Sequence, residues 1–229
     1  MFRRSVLFAL MLIILLSGIA VGAEYGTLSA SFYIGYYLRM DYTSPYSSRT
    51  DGVVGQIIAD YSNMNPAMNL SSSVFCVDPQ NTNLGSLYNY SVVDADEIPN
   101  AGPGPMGAEK AEYLSELWGR FNSQINSNVA GAAFQLSVWE IVYDNQQTNF
   151  AQWDTSSGAF YASGNTDAIN LANSWLSQLN GQGPKETLYG LSSSSFQDFI
   201  VDPVPEPSAL TALGLSTLSL AGLILRKRR

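Results

Sequence analysis

NVAGAAFQLSVWEIVY, residues 128–143, is apolar on nearly every side when wound at 3.6 residues per turn. A helix with no polar face belongs inside a protein rather than on its surface. The spacing predicts two more helices beside it. Glu109–Ile125 carries Leu114, Leu117, Trp118, Phe121 and Ile125 on one stripe, and Gly119 weakens it slightly. Thr166–Leu179 carries Ile169, Ala172, Trp175, Leu176 and Leu179. Asn128 and Thr166 are the expected N-caps, and Gly181 can end the third helix.

The flanks have the other period. Thr27–Met40, Val53–Ile58, Val74–Asp78, Tyr88–Val93 and Thr187–Val201 are short runs of β-branched and aromatic residues and predict strands. Asp41–Asp51, Asn63–Ser73 and Gln80–Pro105 read as turns or loops around them. Strands on both sides of a helical middle predict an α+β domain. The expected form is a β-sandwich or barrel-like sheet with an inserted helical segment.

The two ends of the 229-residue chain are not part of that domain. Met1-Phe2-Arg3-Arg4, an apolar run to Ile19 and small residues at Val21 and Ala23 form a signal-peptide pattern over residues 1–23. A retained membrane anchor is the other way to read it. At the far end, residues 203–229 hold a proline-rich spacer, an apolar stretch Ala209–Leu225 and the terminal Arg226-Lys227-Arg228-Arg229. Seventeen helical residues span about 25 Å, a little short of a bilayer core of about 30 Å. The basic terminus stays on the cytoplasmic side.

Pro205-Glu206-Pro207, the apolar stretch and the basic cluster together resemble the PEP-CTERM sorting signal of Gram-negative bacteria. The resemblance implies an exosortase as processing partner and a transient membrane helix. It implies a destination at the cell surface or in the extracellular matrix, often alongside exopolysaccharide. An ordinary C-terminal membrane anchor is the competing account.

Residues 24–202 remain as one domain, large enough for its own core. It holds five basic against eighteen acidic residues, a charge near −13. Such a surface repels nucleic acid and anionic lipid. The chain has no histidine. That excludes Ser-His-Asp and Cys-His catalysis and removes the commonest zinc ligand. Asp94, Asp96 and Glu97 lack EF-hand spacing and its glycine, so a solvated acidic loop is favoured over a calcium site. Asp144, Asp154 and Asp167 could serve a carboxylate hydrolase, but no spacing singles out a pair.

Cys76 is the only cysteine. In an oxidising compartment it is buried and inert, bonded to another chain, or chemically used. Gln135 suggests the third fate. It shares a helix face with Ala132, Val138, Trp139 and Val142, where an unpaired amide costs about 1–3 kcal/mol. A backbone hydrogen bond would settle that cost. So would consumption of the amide. A thiol held against a carboxamide carbonyl can expel ammonia and leave a thioester, given near-attack effective molarities of about 10⁵ M.

Phe75-Cys76-Val77-Asp78, followed by Phe134-Gln135-Leu136-Ser137-Val138-Trp139-Glu140, resembles the thioester domains of bacterial surface adhesins. These pair a cysteine on an aromatic-Cys-aliphatic-acidic strand with the glutamine of a Thr-Gln-x-Ala-aliphatic-Trp helix. The resemblance implies a Cys76–Gln135 thioester, with Phe75, Asp78, Phe134 and Trp139 around it. Phe134 stands where the family has threonine, and Ser137 where it has alanine. The expected function is single-use covalent attachment to amine- or hydroxyl-bearing partners, not enzymatic turnover, with no cofactor and no metal. A non-reactive structural or matrix-binding protein is the alternative.

Overall fold

The computed structural model describes residues 26–42, 48–62, 70–78, 88–100, 102–144 and 153–204. The expected signal peptide and the Pro205-Glu206-Pro207 tail lie outside them. Seven antiparallel strands form one curled sheet: β1 Gly26–Tyr42, β2 Ser48–Ser62, β3 Leu70–Cys76, β4 Tyr88–Asp94, β5 Phe160–Ser163, β6 Tyr189–Ser192 and β7 Phe199–Pro203. The order is β2-β3-β7-β6-β4-β1-β5, and β1 also pairs with β2, so the ladder returns on itself. The long strand β1 permits this. Along one edge it pairs first with β4 at Gly26–Leu28 and later with β5 at Arg39–Tyr42.

Three α-helices among the described residues join the sheet: α1 Gly107–Phe121, α2 Asn128–Tyr143 and α3 Thr166–Leu176. The architecture is α+β, with the barrel-like curl rather than a sandwich of two facing sheets. Helix α2 packs against β1, β2, β3 and α3. Every residue from Ala130 to Tyr143 is buried, as its lack of a polar face requires. Each of its large aliphatic side chains contributes about 1.5–3 kcal/mol in leaving water.

Local chemistry moved several expected boundaries. Ser127, not Asn128, caps α2, its Oγ accepting the Ala130 N–H at 3.2 Å. Asn165, not Thr166, caps α3, its Oδ1 accepting the Ala168 N–H at 2.9 Å. In both cases the side chain one residue earlier is the one in extended backbone, from which an oxygen can reach N3. The polar ends of β1 and β2, expected as a turn, are strand, because the two pair from Tyr42–Ser48 to Thr27–Ser62 with one register shift between Phe32 and Ile34. Polar sequence hid strand Leu70–Ser73 in the same way. Strand β5 was not expected at all, and Thr187–Val201 holds two strands rather than one.

Two glycines lie hard against the backbone of another segment. A Cβ on Gly35 would sit 2.3 Å from the Val54 carbonyl oxygen, across the β1–β2 ladder. One on Gly119 would sit 2.4 Å from the Pro184 carbonyl oxygen. The glycine that weakens α1 therefore lets residues near 184 cross it.

Candidate functional site

Cys76 and Gln135, 59 residues apart, meet at the edge of β3. The Cys76 N–H donates to Gln135 Oε1 at 2.9 Å. Gln135 Nε2 donates back to the Cys76 carbonyl at 2.8 Å. Strand alternation explains the place. The Val77 N–H donates to the Asp198 carbonyl at 3.1 Å, on the β7 side. The Cys76 N–H and C=O therefore point to the opposite edge, where β2 pairs with β3 only at Ile57–Val74 and Ile58–Ser73. Beyond that the carboxamide of Gln135 stands in for a missing strand. A glutamine suits this, because its amide offers one donor face and one acceptor face like a peptide group.

Both residues are buried, Gln135 at 1% exposure and Cys76 at 4%. Burial, and then the charge of Asp78, push the Cys76 thiol well above its ordinary value. The thiol is therefore neutral until something takes its proton.

The other expected site residues fall into two groups. Phe75 and Phe134 touch at 4.6 Å between ring centroids, and each meets Trp118 edge-on, at 5.4 and 5.2 Å. Phe134 thus fills an aromatic cluster behind the site and brings no hydroxyl to the amide. Trp139 lies 6.0 Å from Phe160, with its indole N–H unpaired. Ser137 turns its hydroxyl back on its own helix, to the Ala133 carbonyl at 2.9 Å. Asp78 is fully buried and accepts the Asp198 N–H at 3.3 Å, while its carbonyl accepts from the Gln197 amide.

Sequence reasoning passed over two neighbours. Asp198, fully buried, accepts the Ser193 N–H at 2.7 Å and the Asn100 N–H, which ties β6, β7 and the loop after β4 together. Tyr90, also buried, donates its hydroxyl to the Gln197 carbonyl at 2.8 Å. Nothing in the local sequence marks Asp198. Its role depends on three segments remote from one another.

Sequence reasoning also passed over Glu140, inside α2, although a carboxyl in a nearly all-apolar helix is the signal that could have found it. It is fully buried. One oxygen accepts the Asp154 N–H at 3.0 Å, and the Asp144 side chain lies against the carboxyl. Burial first, and then the neighbouring Asp144 and Asp154, push its carboxyl up to about 9. The structure thus brings Asp144 and Asp154 near Glu140. Asp167 stands exposed in the first turn of α3. Lys110, buried beside Asp144, donates to the Val142 carbonyl at 2.6 Å.

Among the described residues no three acidic or thiol side chains gather to hold a metal ion, the Asp94–Glu97 loop included. No helix among them is long and apolar enough to cross a membrane. Comparison with family models, curated proteins and solved structures finds no match, so the site is interpreted from its geometry and sequence pattern.

Proposed function

We propose that this chain is an exported surface protein, processed by an exosortase, in which Cys76 and Gln135 close an internal thioester for covalent attachment. The observation that carries it is the reciprocal pairing of the Gln135 carboxamide with the backbone of Cys76 at 2.9 and 2.8 Å. These bonds bring the carboxamide to the residue that carries the thiol, and proximity of that kind is what a sluggish amide exchange needs.

The step balances without a cofactor. Cys76 Sγ attacks Cδ of Gln135, negative charge gathers on Oε1, and the Cys76 N–H already donating to that oxygen stabilises it. The thiol proton passes to Nε2. The C–N bond breaks and ammonia leaves. An amine or hydroxyl of a partner later attacks the same carbon. Its bond replaces C–S, its proton returns to sulfur, and an amide or ester remains. With no histidine in the chain, base assistance has to come from a carboxylate or the incoming amine.

The mature protein should weigh less than its sequence mass by one ammonia. Methylamine should restore a stable adduct on Gln135 and free a thiol that alkylates on unfolding. A full sequence mass with Cys76 alkylated in denaturant would end the proposal.

The same hydrogen bonds favour a second, passive reading. The amide satisfies both open groups of the β3 edge as it stands, and a buried cysteine is a good small hydrophobe. In that case Cys76→Ala retains the surface role and only the packing changes.

A further inference from the structure

Across Asp198 from Cys76, the curled sheet forms a recess of about 390 Å³. It is lined by Asn89, Ser91, Asn100, Ser192, Ser193 and Ser194, all polar and none charged. Asn89 and Ser91 share one face of β4, and Ser91 pairs directly with Ser192 of β6. The Ser91 hydroxyl donates to the Ser192 carbonyl at 3.4 Å. Behind the lining, the Asp198 carboxyl is taken up by the N–H groups of Ser193 and Asn100, with the Ser192 hydroxyl at 3.5 Å. It braces the recess rather than presenting a charge to it. The side chains of Asn89, Asn100 and Ser194 are exposed at the rim.

The lining selects by exclusion. Among the described residues that line it, no lysine or arginine is present to hold a phosphate, sulfate or uronate. No free carboxylate faces in to hold an amine. No aliphatic or aromatic residue is among the described lining to favour a lipid or an aromatic ring. What remains is a set of hydroxyls and carboxamides, each able to donate and to accept, in a hollow of small-ligand size. That matches a ligand whose own groups do both at close spacing. A second hollow, about 420 Å³, differs: Asp94, Asp96, Glu112, Lys185 and Glu186 give it a charged wall.

We propose that this recess is a binding site for a neutral saccharide unit. The binding does not depend on Cys76. The Asp198 carbonyl, on Val77 at 3.1 Å, joins the recess to the strand that carries the cysteine.

The test uses the full chain carrying Cys76→Ala, which cannot form a thioester. Saturation-transfer NMR is run with tetramers of glucose, galactose, mannose and N-acetylglucosamine, with tetragalacturonate and tetralysine as charged comparators. At least one neutral tetramer should give transfer. The signal should fall at least tenfold in Asn89→Leu/Ser194→Leu, whose melting temperature stays unchanged because both side chains are exposed. Silence from all four neutral tetramers overturns the site. So does a signal that survives the double substitution, or equal transfer to a charged tetramer. None of these outcomes alters the mass test of the thioester.

Discussion

Glu116 of α1 and Glu140 of α2 are both completely buried, yet they ionise in opposite directions. Burial raises both. At Glu116 it is outweighed by the Arg120 side chain at 2.7 Å and the N–H groups of Gly181 at 2.6 Å and Gly183 at 3.0 Å, with Asn180 farther off. The carboxyl is held below its ordinary value. Glu140 has one N–H donor and two acidic neighbours, and rises to about 9. Burial alone therefore does not decide the charge of a group; the number of donors aimed at it does. Gln135, in the same helix as Glu140, meets the same problem with a neutral amide, paired on both sides.

The contrast is broken most severely at Glu116. Glu116→Ala strips three backbone N–H groups and a partly buried guanidinium of their acceptor, and should cost about 3 kcal/mol in urea unfolding at pH 7. A folded pKa below the unfolded one contributes stability above the unfolded value and loses it as pH falls. Glu116 should therefore favour acid unfolding, and the variant should show a shallower loss below pH 4.5.

Gln135→Leu leaves the Cys76 N–H and C=O unpaired at the β3 edge. It should cost about 2–3 kcal/mol by the same measurement, against less than 1 kcal/mol for an exposed Gln178→Leu control. Indifference to Gln135→Leu would mean that the amide is no strand substitute.

Glu140 should run the other way. Its folded pKa lies above the unfolded one, so its contribution is complete below about 4.5 and is lost as pH rises toward 9. Glu140→Gln should remove that slope and stabilise the protein at pH 8 by about 2 kcal/mol, read from melts at pH 5 and pH 8. A slope equal to wild type would show that Glu140 is ionised at neutrality.

The smallest effect lies at the start of α2. Ser127→Ala should cost about 1 kcal/mol and Asn128→Ala much less, because the cap hydrogen bond belongs to Ser127.

Helix α2 was legible in extent, since an unbroken apolar stretch needs no partner to identify it, but its cap lies one residue earlier than expected. Strands were legible where alternation or branching marked them, as at Tyr88–Val93. They were not where pairing alone made them, as at Ser48–Asp51 and Leu70–Ser73. The pair Cys76 and Gln135 could be nominated from an odd cysteine and a polar residue on an apolar face, and the fold places them in contact. Asp198 and the serine-lined recess could not be nominated, since their residues come from β4, the loop after it and the β6–β7 turn.

By itself the sequence determined the helical middle, the α+β class, the acidic surface and the absence of histidine chemistry. These depend on composition and short-range period, which are local properties. Only the tertiary structure decided that the sheet curls back to β1, that Gln135 completes the edge of β3, and which buried carboxyl keeps its charge. Each of these depends on which donors distant segments bring within about 3 Å, and no local pattern encodes that.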